Sequence, residues 1–481
     1  MTPFAVRALD GPHKREKPYF FKKEVFMNLL QCSGDTEIEP DELDKESSRI
    51  IEEFVSHGIL EQSETEMDPI EEWQRYNIYP SRFLRSVQWS ITGKCNFRCR
   101  HCLVSAPTAK HPQLPLEDCL KIVREIASCG IKMVDITGGE PLVRTDFEEI
   151  VKELVKCGID INIIFTNASL LKEPVLEMLQ KYHQKPIFQL SFDGKGHHDW
   201  LRGIPGAEKQ ADDAFRLLQK HGFPTMVAMC IHKGNRDSLP ETARYLANYG
   251  VFSLRLNAPQ DMGIWKEYSK EYALSEDEVW QIYRDFIRIY FKERIPIGVS
   301  LDGYFRCDKG ATAYSVPYAR TAKLEDPDWS MYPYCEAARS TGYIGPDGKV
   351  APCMGFSDTA LKEQFPSVLE TPLAKLTYSG FGFEVANTRI SKFLEKNPEC
   401  AECDKLMVCH GGCMLADITD DGDYLVPDKR CCYFHKHIGE DEVRKVADEA
   451  IAATGLQPNI KVREESVRIL TVCDEEEPSV E

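Results

Sequence analysis

Three cysteines with the spacing of metal ligands lie close together near residue 100. Cys95, Cys99 and Cys102 stand four and three residues apart in the stretch ITGKCNFRCRHCLVS. Three thiols this close are too many for a packed core and one short of a closed four-ligand site. Zinc sites usually combine C-x-x-C pairs, whereas three thiolates can hold a [4Fe–4S] cluster and leave one iron free. The spacing therefore favours an iron–sulfur cluster that can bind a further molecule.

A second group of cysteines lies towards the end of the chain. It contains eight of the 18 cysteines: Cys335, Cys353, Cys400, Cys403, Cys409, Cys413, Cys431 and Cys432. Most of the others are scattered singly, and Cys119, Cys129 and Cys157 fall on apolar faces of helical patterns, where cysteine acts as a small hydrophobe. In the reducing cytoplasm, structural disulfides are disfavoured, so thiols grouped in this way indicate metal or redox chemistry.

Charge and hydropathy narrow the class of protein. The chain has 59 Lys and Arg against 77 Asp and Glu, a net charge of −18, which disfavours binding to nucleic acid or to an anionic membrane. No apolar run approaches the roughly 20 residues that span a bilayer, and the N-terminus lacks the apolar segment of a signal peptide. We therefore expect a cytoplasmic protein with no nucleic-acid or membrane partner.

Alternating strands and helices must position the first cysteines. The predicted strands are SVQWSIT, IKMVDITGG, IDINIIFTN, PIFQLSFDG, FPTMVAMCIH and FSLRLNAP, with helical patterns between them. Six such repeats are short of eight, so they predict a partial (β/α)6 barrel of parallel strands, TIM-like and open. The cysteine loop, Gly138-Gly139-Glu140, Thr166-Asn167 and Asp193-Gly194 each follow a strand. Polar residues at the carboxyl ends of parallel strands indicate an active site there.

Smaller regions flank the predicted barrel. Residues 1–80 show a helix, a turn at residues 33–35 and further helical segments that close at residues 57–58, an order typical of a winged-helix unit. Because this unit has little positive charge, a peptide-binding role through an exposed strand edge fits it better than DNA binding. The expected boundaries are 81–295 for the barrel, 296–440 for a cysteine-rich domain, and 441–481 for a helix and an acidic tail.

The motifs of the barrel resemble those of a known family. Cys95-x3-Cys99-x2-Cys102 matches the CxxxCxxC motif of the radical S-adenosylmethionine (SAM) superfamily, and Gly138-Gly139-Glu140-Pro141 looks like its GGEP motif. The resemblance covers roughly residues 86–259. It implies that the amino and carboxylate groups of SAM bind the free iron and that SAM cleavage yields a 5′-deoxyadenosyl radical.

The resemblance also implies which residues contact SAM. His101 occupies a place where the family usually has an aromatic ring near the adenine, and Glu140 would accept the methionine ammonium. Asn167, Ser191 and Asp193 end successive strands and would contact the ribose or the methionine part. Arg202, in HDWLRGIPG, would pair with the methionine carboxylate.

The later cysteines resemble the seven-cysteine pattern of the SPASM extension of peptide-modifying radical SAM enzymes, which carries two auxiliary [4Fe–4S] clusters. By this resemblance Cys335, Cys353 and Cys413 hold the first cluster. Cys400, Cys403 and Cys409 hold the second, with either Cys431 or Cys432 as the fourth ligand. The first cluster needs one more ligand. Either Cys307 supplies it, or no side chain does and one iron stays open. Cys307 is also a possible acid or base. Between Cys335 and Cys353, the turn residues at 346–348 predict a β-hairpin.

These resemblances imply a maturase of a ribosomally made peptide, related to the thioether-forming sactipeptide and ranthipeptide synthases. We expect SAM and three [4Fe–4S] clusters, hydrogen abstraction from the peptide and a Cys thioether crosslink. The leader of the precursor peptide would bind residues 1–80, and a flavodoxin or ferredoxin would donate electrons. Carbon–carbon crosslinking, epimerisation, dehydrogenation and haem or small-cofactor maturation are the enzymatic alternatives, and a zinc-stabilised scaffold is the non-catalytic one. Met354 follows Cys353 where sulfatase-maturing relatives usually have Asp, which disfavours that activity.

Overall fold

The structure is a computed structural model. It describes residues 4–6, 28–29, 32, 43–56, 60–62, 86–106, 111–311, 313–318, 320–321, 329–335, 341–455, 461–462 and 465–466. The predicted turn at residues 33–35, the predicted helix end at residues 57–58 and the acidic tail at residues 474–481 lie outside the described residues.

The described part of the chain alternates strands and helices through its middle and is mainly helical near its end. The strands are β1 Phe4–Val6, β2 Leu60–Gln62, β3 Ser86–Ser90, β4 Met133–Thr137, β5 Asp160–Thr166, β6 Ile187–Ser191, β7 Thr225–Cys230, β8 Ser253–Asn257, β9 Gly298–Leu301, β10 Phe305–Cys307, β11 Ala313–Ser315, β12 Arg320–Thr321, β13 Thr341–Ile344, β14 Val350–Ala351, β15 Lys461–Val462 and β16 Glu465–Ser466. The helices are α1 Lys45–Ser56, α2 Leu116–Ser128, α3 Phe147–Lys156, α4 Glu173–Lys181, α5 His198–Arg202, α6 Ala207–His221, α7 Leu239–Ala247, α8 Ser269–Tyr272, α9 Glu276–Glu293, α10 Leu373–Leu376, α11 Phe381–Ala386, α12 Ile390–Lys396, α13 Pro398–Ala401, α14 Leu406–Cys409, α15 Lys429–Tyr433 and α16 Gly439–Ala452.

The six predicted strands are present as β3 to β8. They pair in chain order and all in parallel, with helices in the connections, which confirms the prediction of a partial barrel. The sheet extends beyond these six strands at both edges. After the long helix α9, β9 adds in parallel to β8, and β13 adds in parallel to β3. The cysteine-rich region thus contributes a strand next to the one that precedes the first cysteines.

Alternation along each strand separates the two faces of the sheet. Residues such as Val87, Val134, Phe188 and Leu254 are fully buried in the main hydrophobic core beside the helices. The helices contribute their apolar faces to this core; on α2 the buried residues include Cys119. The reading of Cys119 as a small buried hydrophobe is confirmed.

A second hydrophobic core lies under the later cysteines and includes Tyr334, Phe356 and Phe393. The predicted hairpin is confirmed by the antiparallel pairing of β13 with β14. At its turn, Gly345 N donates to the Lys349 carbonyl over 2.8 Å. Gly348 has a φ of +80°, a conformation that favours glycine.

The described part of residues 1–80 contains helix α1, two further helical residues at 28–29 and a strand pair. Asp44 precedes α1, and its carboxylate accepts from Ser47 N over 3.0 Å. Apolar residues of α1 pack with Leu29 and Leu60, and β1 pairs antiparallel with β2. The winged-helix assignment of the whole segment stays a prediction. Among the described helices, none is long and apolar enough to cross a bilayer.

Candidate active site

The loop that carries the first three cysteines follows β3 and packs against the loop after β4. Gly139 N donates to the Thr92 carbonyl and Glu140 N to the Lys94 carbonyl, both over 2.8 Å. A Cβ atom at Gly139 would lie 2.3 Å from the Lys94 carbonyl oxygen. Glycine is therefore required there because any side chain would push the two loops apart.

Helix α5 holds the same loop from the other side. Arg98 N donates to the Arg202 carbonyl over 3.2 Å, and Arg100 N donates to the Leu201 carbonyl over 2.9 Å. Gly203 ends α5 with a φ of +65°, and a Cβ atom there would lie 2.2 Å from the Arg98 carbonyl oxygen. The cysteine loop is thus fixed between α5 and the Gly138-Gly139 turn.

The three thiols are partly enclosed and influence one another. Burial raises the pKa of Cys95 to about 12 and that of Cys102 to about 11, and the neighbouring charge of Cys99 raises both further. Phe97 N donates to the Cys95 sulfur and Ala106 N to the Cys102 sulfur, each over 3.4 Å. Backbone N–H groups aimed at sulfur suit thiolates that bind iron, so the donor set fits a three-thiolate cluster.

Glu140 connects the ends of β4 and β5. Its carboxylate is fully buried and accepts from Leu142 N over 3.1 Å, from the Thr166 hydroxyl over 2.8 Å and from Asn167 N over 2.7 Å. Burial raises the pKa of Glu140 to about 7, although these hydrogen bonds oppose the shift. A carboxylate accepts up to about four hydrogen bonds, so one further donor fits.

Asp193 and Arg202 form a buried ion pair. Arg202 Nε lies 2.8 Å from Asp193 Oδ2 and Nη2 lies 3.1 Å from Oδ1. Burial alone would raise the pKa of Asp193, but Arg202 and a hydrogen bond with His198 outweigh it and hold the pKa well below its usual range. The same carboxylate accepts from Cys230 N over 3.0 Å, so it also ties β7 to this site. The sequence pattern does not reveal that Arg202 already has a carboxylate partner within the chain.

The other predicted SAM contacts, His101, Asn167 and Ser191, differ in their burial and in their distance from the cysteine loop. Burial lowers the pKa of His101 to about 3, and its Nδ1 is enclosed without a hydrogen-bond partner in the described structure. Asn167 Nδ2 lies 3.9 Å from the Cys95 sulfur. Ser191 is half-buried at the end of β6. A neutral, enclosed imidazole with a free ring nitrogen fits the predicted place beside an adenine.

The first auxiliary group of cysteines gathers at the second core: Cys335 and Cys353 pack against it, and Cys413 lies at the surface. Burial raises the pKa of Cys353 to about 12 and that of Cys413 to about 11, and the charge of Cys335 contributes to both shifts, so the three thiols are neighbours. Cys307 is not brought to them. It packs in the barrel core and influences the hydroxyl of Tyr290. Of the two alternatives for this cluster, the structure favours an open iron over a Cys307 ligand.

The second auxiliary group surrounds a cavity of about 110 Å³. Its lining includes Cys400, Cys403, Cys409 and Cys432. Cys431 is not among the lining residues, although its sulfur lies 3.8 Å from that of Cys409. Cys432 therefore fits the fourth position better than Cys431. Nowhere in the described structure do three His, Cys, Asp or Glu side chains converge tightly enough to hold a single metal ion.

An aromatic group beside the cysteine loop has no counterpart among the predicted site residues. The Arg100 guanidinium lies 4.8 Å from the Trp200 ring centroid and 5.5 Å from that of Tyr268. Trp200 also packs on His232, at 4.9 Å between ring centroids. The many aromatic residues in the stretches HDW and GIWKEYSKEY are the signal in the sequence that could have predicted this aromatic group.

A parallel partial barrel with three thiols on the loop after its first strand defines a class of radical-generating enzymes. Consistently, residues 89–246 match the sequence model of the radical SAM superfamily. This match identifies residues 89–246 as a radical SAM domain, so the chain is an enzyme that carries this domain, and SAM binding and iron–sulfur ligation are what the domain implies.

Three similar proteins define its relationships further. The PqqA peptide cyclase of Granulibacter bethesdensis is 27% identical over 76% of this chain and 90% of its own length. The AdoMet-dependent heme synthase of Methanosarcina barkeri is 25% identical over 73% of this chain and 96% of its own length. The crystal structure of Streptococcus suis SuiB bound to its precursor peptide SuiA shares the fold, with a TM-score of 0.57 and 18% identity over 73% of this chain and 76% of SuiB.

Proposed function

We propose that this enzyme matures a ribosomally made precursor peptide by forming a Cys thioether crosslink within it. The observation that carries the proposal is the presence, in one fold, of a three-thiol loop at the barrel mouth and a separate four-thiol cavity. The similarity to a peptide cyclase supports a peptide substrate and a ring-forming product. When bound, SAM and the cluster supply a 5′-deoxyadenosyl radical that abstracts hydrogen from the substrate.

The residues of the chain then have distinct tasks in this proposal. Cys95, Cys99 and Cys102 hold the SAM-binding cluster, while Glu140 accepts the methionine ammonium of SAM. His101 packs beside the adenine, and Asn167 and Ser191 line the ribose and methionine side. Because Arg202 is paired with Asp193, we assign it to positioning the cysteine loop rather than to the methionine carboxylate. Asp193 is fully buried and its carboxylate is occupied by Arg202, so we assign it to positioning as well.

The auxiliary thiols would hold the clusters that take up the surplus electron of the crosslinking step. Cys335, Cys353 and Cys413 hold one [4Fe–4S] cluster, and Cys400, Cys403, Cys409 and Cys432 hold the other. With the SAM-binding cluster this makes three clusters, and a flavodoxin or ferredoxin reduces the enzyme. Iron analysis of anaerobically reconstituted protein tests the count: about twelve irons per chain are expected, whereas zinc in their place would contradict it.

Residues 1–80 bind the leader of the precursor peptide in this proposal. In the described part of this segment the sheet has two strands, β1 and β2, so each keeps one edge that a further strand could join. Deletion of residues 1–80 should abolish peptide turnover and leave SAM cleavage unchanged. Equal loss of both activities would contradict a role in leader binding.

The central experiment searches the neighbourhood of the gene for a short Cys-rich reading frame and incubates its peptide anaerobically with the enzyme, SAM and reductant. A thioether predicts the loss of two hydrogen atoms by mass spectrometry and a thiol that no longer reacts with iodoacetamide. A carbon–carbon crosslink gives the same mass but leaves the thiol reactive, and epimerisation gives an unchanged mass with deuterium taken up from solvent. The Cys95→Ala enzyme should cleave no SAM; cleavage by this variant would contradict the whole assignment.

A second candidate function is maturation of haem or another small cofactor. The similarity to a heme synthase, which extends along 96% of that enzyme's length, supports this second function. The segment of residues 1–80 distinguishes the two functions, because a small cofactor does not need a leader-binding segment. Turnover of a porphyrin substrate by the enzyme lacking residues 1–80 would favour this alternative.

A further inference from the structure

An arginine stands exposed in the middle of the barrel sheet. Arg255 is the central residue of β8, and its neighbours Leu254 and Leu256 are 0% exposed and pack towards the helices. Because side chains alternate along a strand, Arg255 faces the inner side of the partial barrel. Its side chain is exposed there, although strands β7 and β9 flank β8 on both sides.

Arg255 belongs to a row of small and basic residues across the inner face. The register aligns it with Ala228 on β7 and Ser300 on β9, and Ser300 in turn pairs with Arg306 on β10. Arg306 is also exposed. With strands about 4.8 Å apart, the two arginines stand roughly 10 Å from each other with a serine between them. The small neighbours leave the Arg255 guanidinium room to meet a ligand.

No acidic side chain within the described residues pairs with Arg255, which forms neither a salt bridge nor a hydrogen bond there. The carboxylate of Asp135, on the inner face at β4, accepts from Asn162 Nδ2 over 2.7 Å. The exposed Arg255 guanidinium is therefore hydrated and has no carboxylate partner within the described residues, so its charge can meet a ligand. In a chain with a net charge of −18, an unpaired arginine on this face points to an anionic ligand.

The row lies directly below the thiol loop. Cys230 and Asn257 form the register pair at the carboxyl ends of β7 and β8, two residues beyond Arg255. At about 3.3 Å per residue, this is a rise of roughly 7 Å. Cys230 N is bound to Asp193, whose partner Arg202 belongs to the helix that holds the cysteine loop. A molecule seated on Arg255 would therefore lie inside the barrel, under the place where SAM binds.

We propose that Arg255, with Ser300 beside it in the same row, binds a carboxylate of the peptide substrate and so positions the residue to be modified. The fork of an arginine guanidinium matches the two oxygens of a carboxylate. The proposal rests on the proposed function and deepens it: the substrate is an acidic peptide, or one held by its terminal carboxylate. No covalent step is assigned to Arg255, which acts as a specificity-determining residue.

The test measures binding of three synthetic peptides to the reconstituted holoenzyme with SAM, by isothermal titration calorimetry. The peptides are acetyl-Gly-Glu-Gly-Cys-amide, acetyl-Gly-Gln-Gly-Cys-amide and acetyl-Gly-Gln-Gly-Cys with a free carboxylate. The wild type should bind at least one carboxylate peptide about tenfold more tightly than the neutral one. Which of the two is preferred separates an acidic side chain from a terminal carboxylate.

Variants assign that preference to the site. Arg255→Gln should bind all three peptides equally, Arg255→Lys should keep part of the preference, and Arg216→Gln on the outer surface of α6 should behave as the wild type. Unchanged iron content and SAM affinity in Arg255→Gln show that the fold is intact. The proposal would be overturned if the wild type bound all three peptides equally, or if Arg255→Gln kept the preference for a carboxylate peptide. It would also be overturned if Arg255→Gln lost SAM affinity but kept that preference, since the arginine would then bind SAM. Failure of the proposed function would appear separately, as unchanged mass of the precursor peptide.

Discussion

At the scale of single residues, Glu140 both holds the ends of β4 and β5 together and is the proposed acceptor for SAM. Its carboxylate is fully buried, and three donors from two loops converge on it. Burial nevertheless keeps its pKa near 7, above the 4.5 of an exposed carboxyl. Without a ligand, the Glu140 carboxyl is therefore protonated over part of the physiological pH range. Binding of the SAM amino group would displace that proton.

This raised pKa predicts pH-dependent SAM binding. Below about pH 7 the Glu140 carboxyl is protonated and no longer an anionic acceptor for the SAM amino group, so its titration should lower SAM affinity about tenfold per pH unit. Above pH 7 the carboxylate is already ionised and adds no further pH dependence of its own. Titration calorimetry in buffers of different ionisation enthalpy measures the proton released. Glu140→Gln should bind SAM weakly and without this pH dependence; a flat profile in the wild type would contradict the role of Glu140.

The adjacent cysteines Cys431 and Cys432 give a second prediction at this scale. Because Cys432 lines the four-thiol cavity and Cys431 does not, Cys432→Ser should lose one cluster, or about four irons. Cys431→Ser is the matched control: it is a buried, nearly isosteric change one residue away and should keep its iron. Iron analysis and Mössbauer spectra compare the two proteins. Loss of a cluster only from Cys431→Ser would reverse the assignment.

At the scale of elements, a glycine at the end of α5 controls the cysteine loop. Gly203→Ala should lower the iron content and SAM affinity of the first cluster site, since the new Cβ would overlap the Arg98 carbonyl. Gly222→Ala is its matched control, because Gly222 ends α6 with a similar φ of +68° but nothing lies within 4 Å of a Cβ atom there. Both variants should cost about 1 kcal/mol of stability from backbone strain. Equal iron loss in the two would show that strain alone, and not the close approach, disturbs the site.

The order of the barrel strands follows from the sequence, whereas the contacts between distant elements do not. Periodicity predicted β3 to β8 because each strand forms a regular apolar run between helices, and it placed the cysteine loop at a strand end. It did not predict that β13 pairs with β3, since that contact joins residues about 250 positions apart and the strand has only four residues. Nor did it reveal the Asp193–Arg202 pair, because a side-chain contact within the site depends on the exact angle between α5 and β6.

At the scale of the whole molecule, polar contacts join the cysteine-rich region to the barrel, and two of them lie close to the thiol sites. The Tyr343 hydroxyl donates to the Ser90 hydroxyl over 2.9 Å, which ties β13 to β3 near the thiol loop. On the opposite side, Arg430 precedes the adjacent cysteines and pairs with Asp302 at 2.5 Å and Glu276 at 3.2 Å. The loop of Cys95, Cys99 and Cys102 and the cysteine-rich region are thus held on a common frame, which the proposed electron transfer between clusters would need.

Arg430 should fix the second auxiliary site relative to the barrel. Arg430→Gln leaves two partly buried carboxylates without their cation and should reduce stability by about 2 kcal/mol, with faster hydrogen exchange in residues 428–433. Lys429→Gln is the matched control, because Lys429 is 83% exposed and its ion pair with Asp417, at 3.3 Å, should contribute less than about 1 kcal/mol. Urea unfolding and hydrogen-exchange mass spectrometry compare the variants. If both lose the same small amount of stability, the barrel and the cysteine-rich region are held together by their apolar contacts and the shared sheet, and the ion pair is incidental to the spacing of the thiol sites.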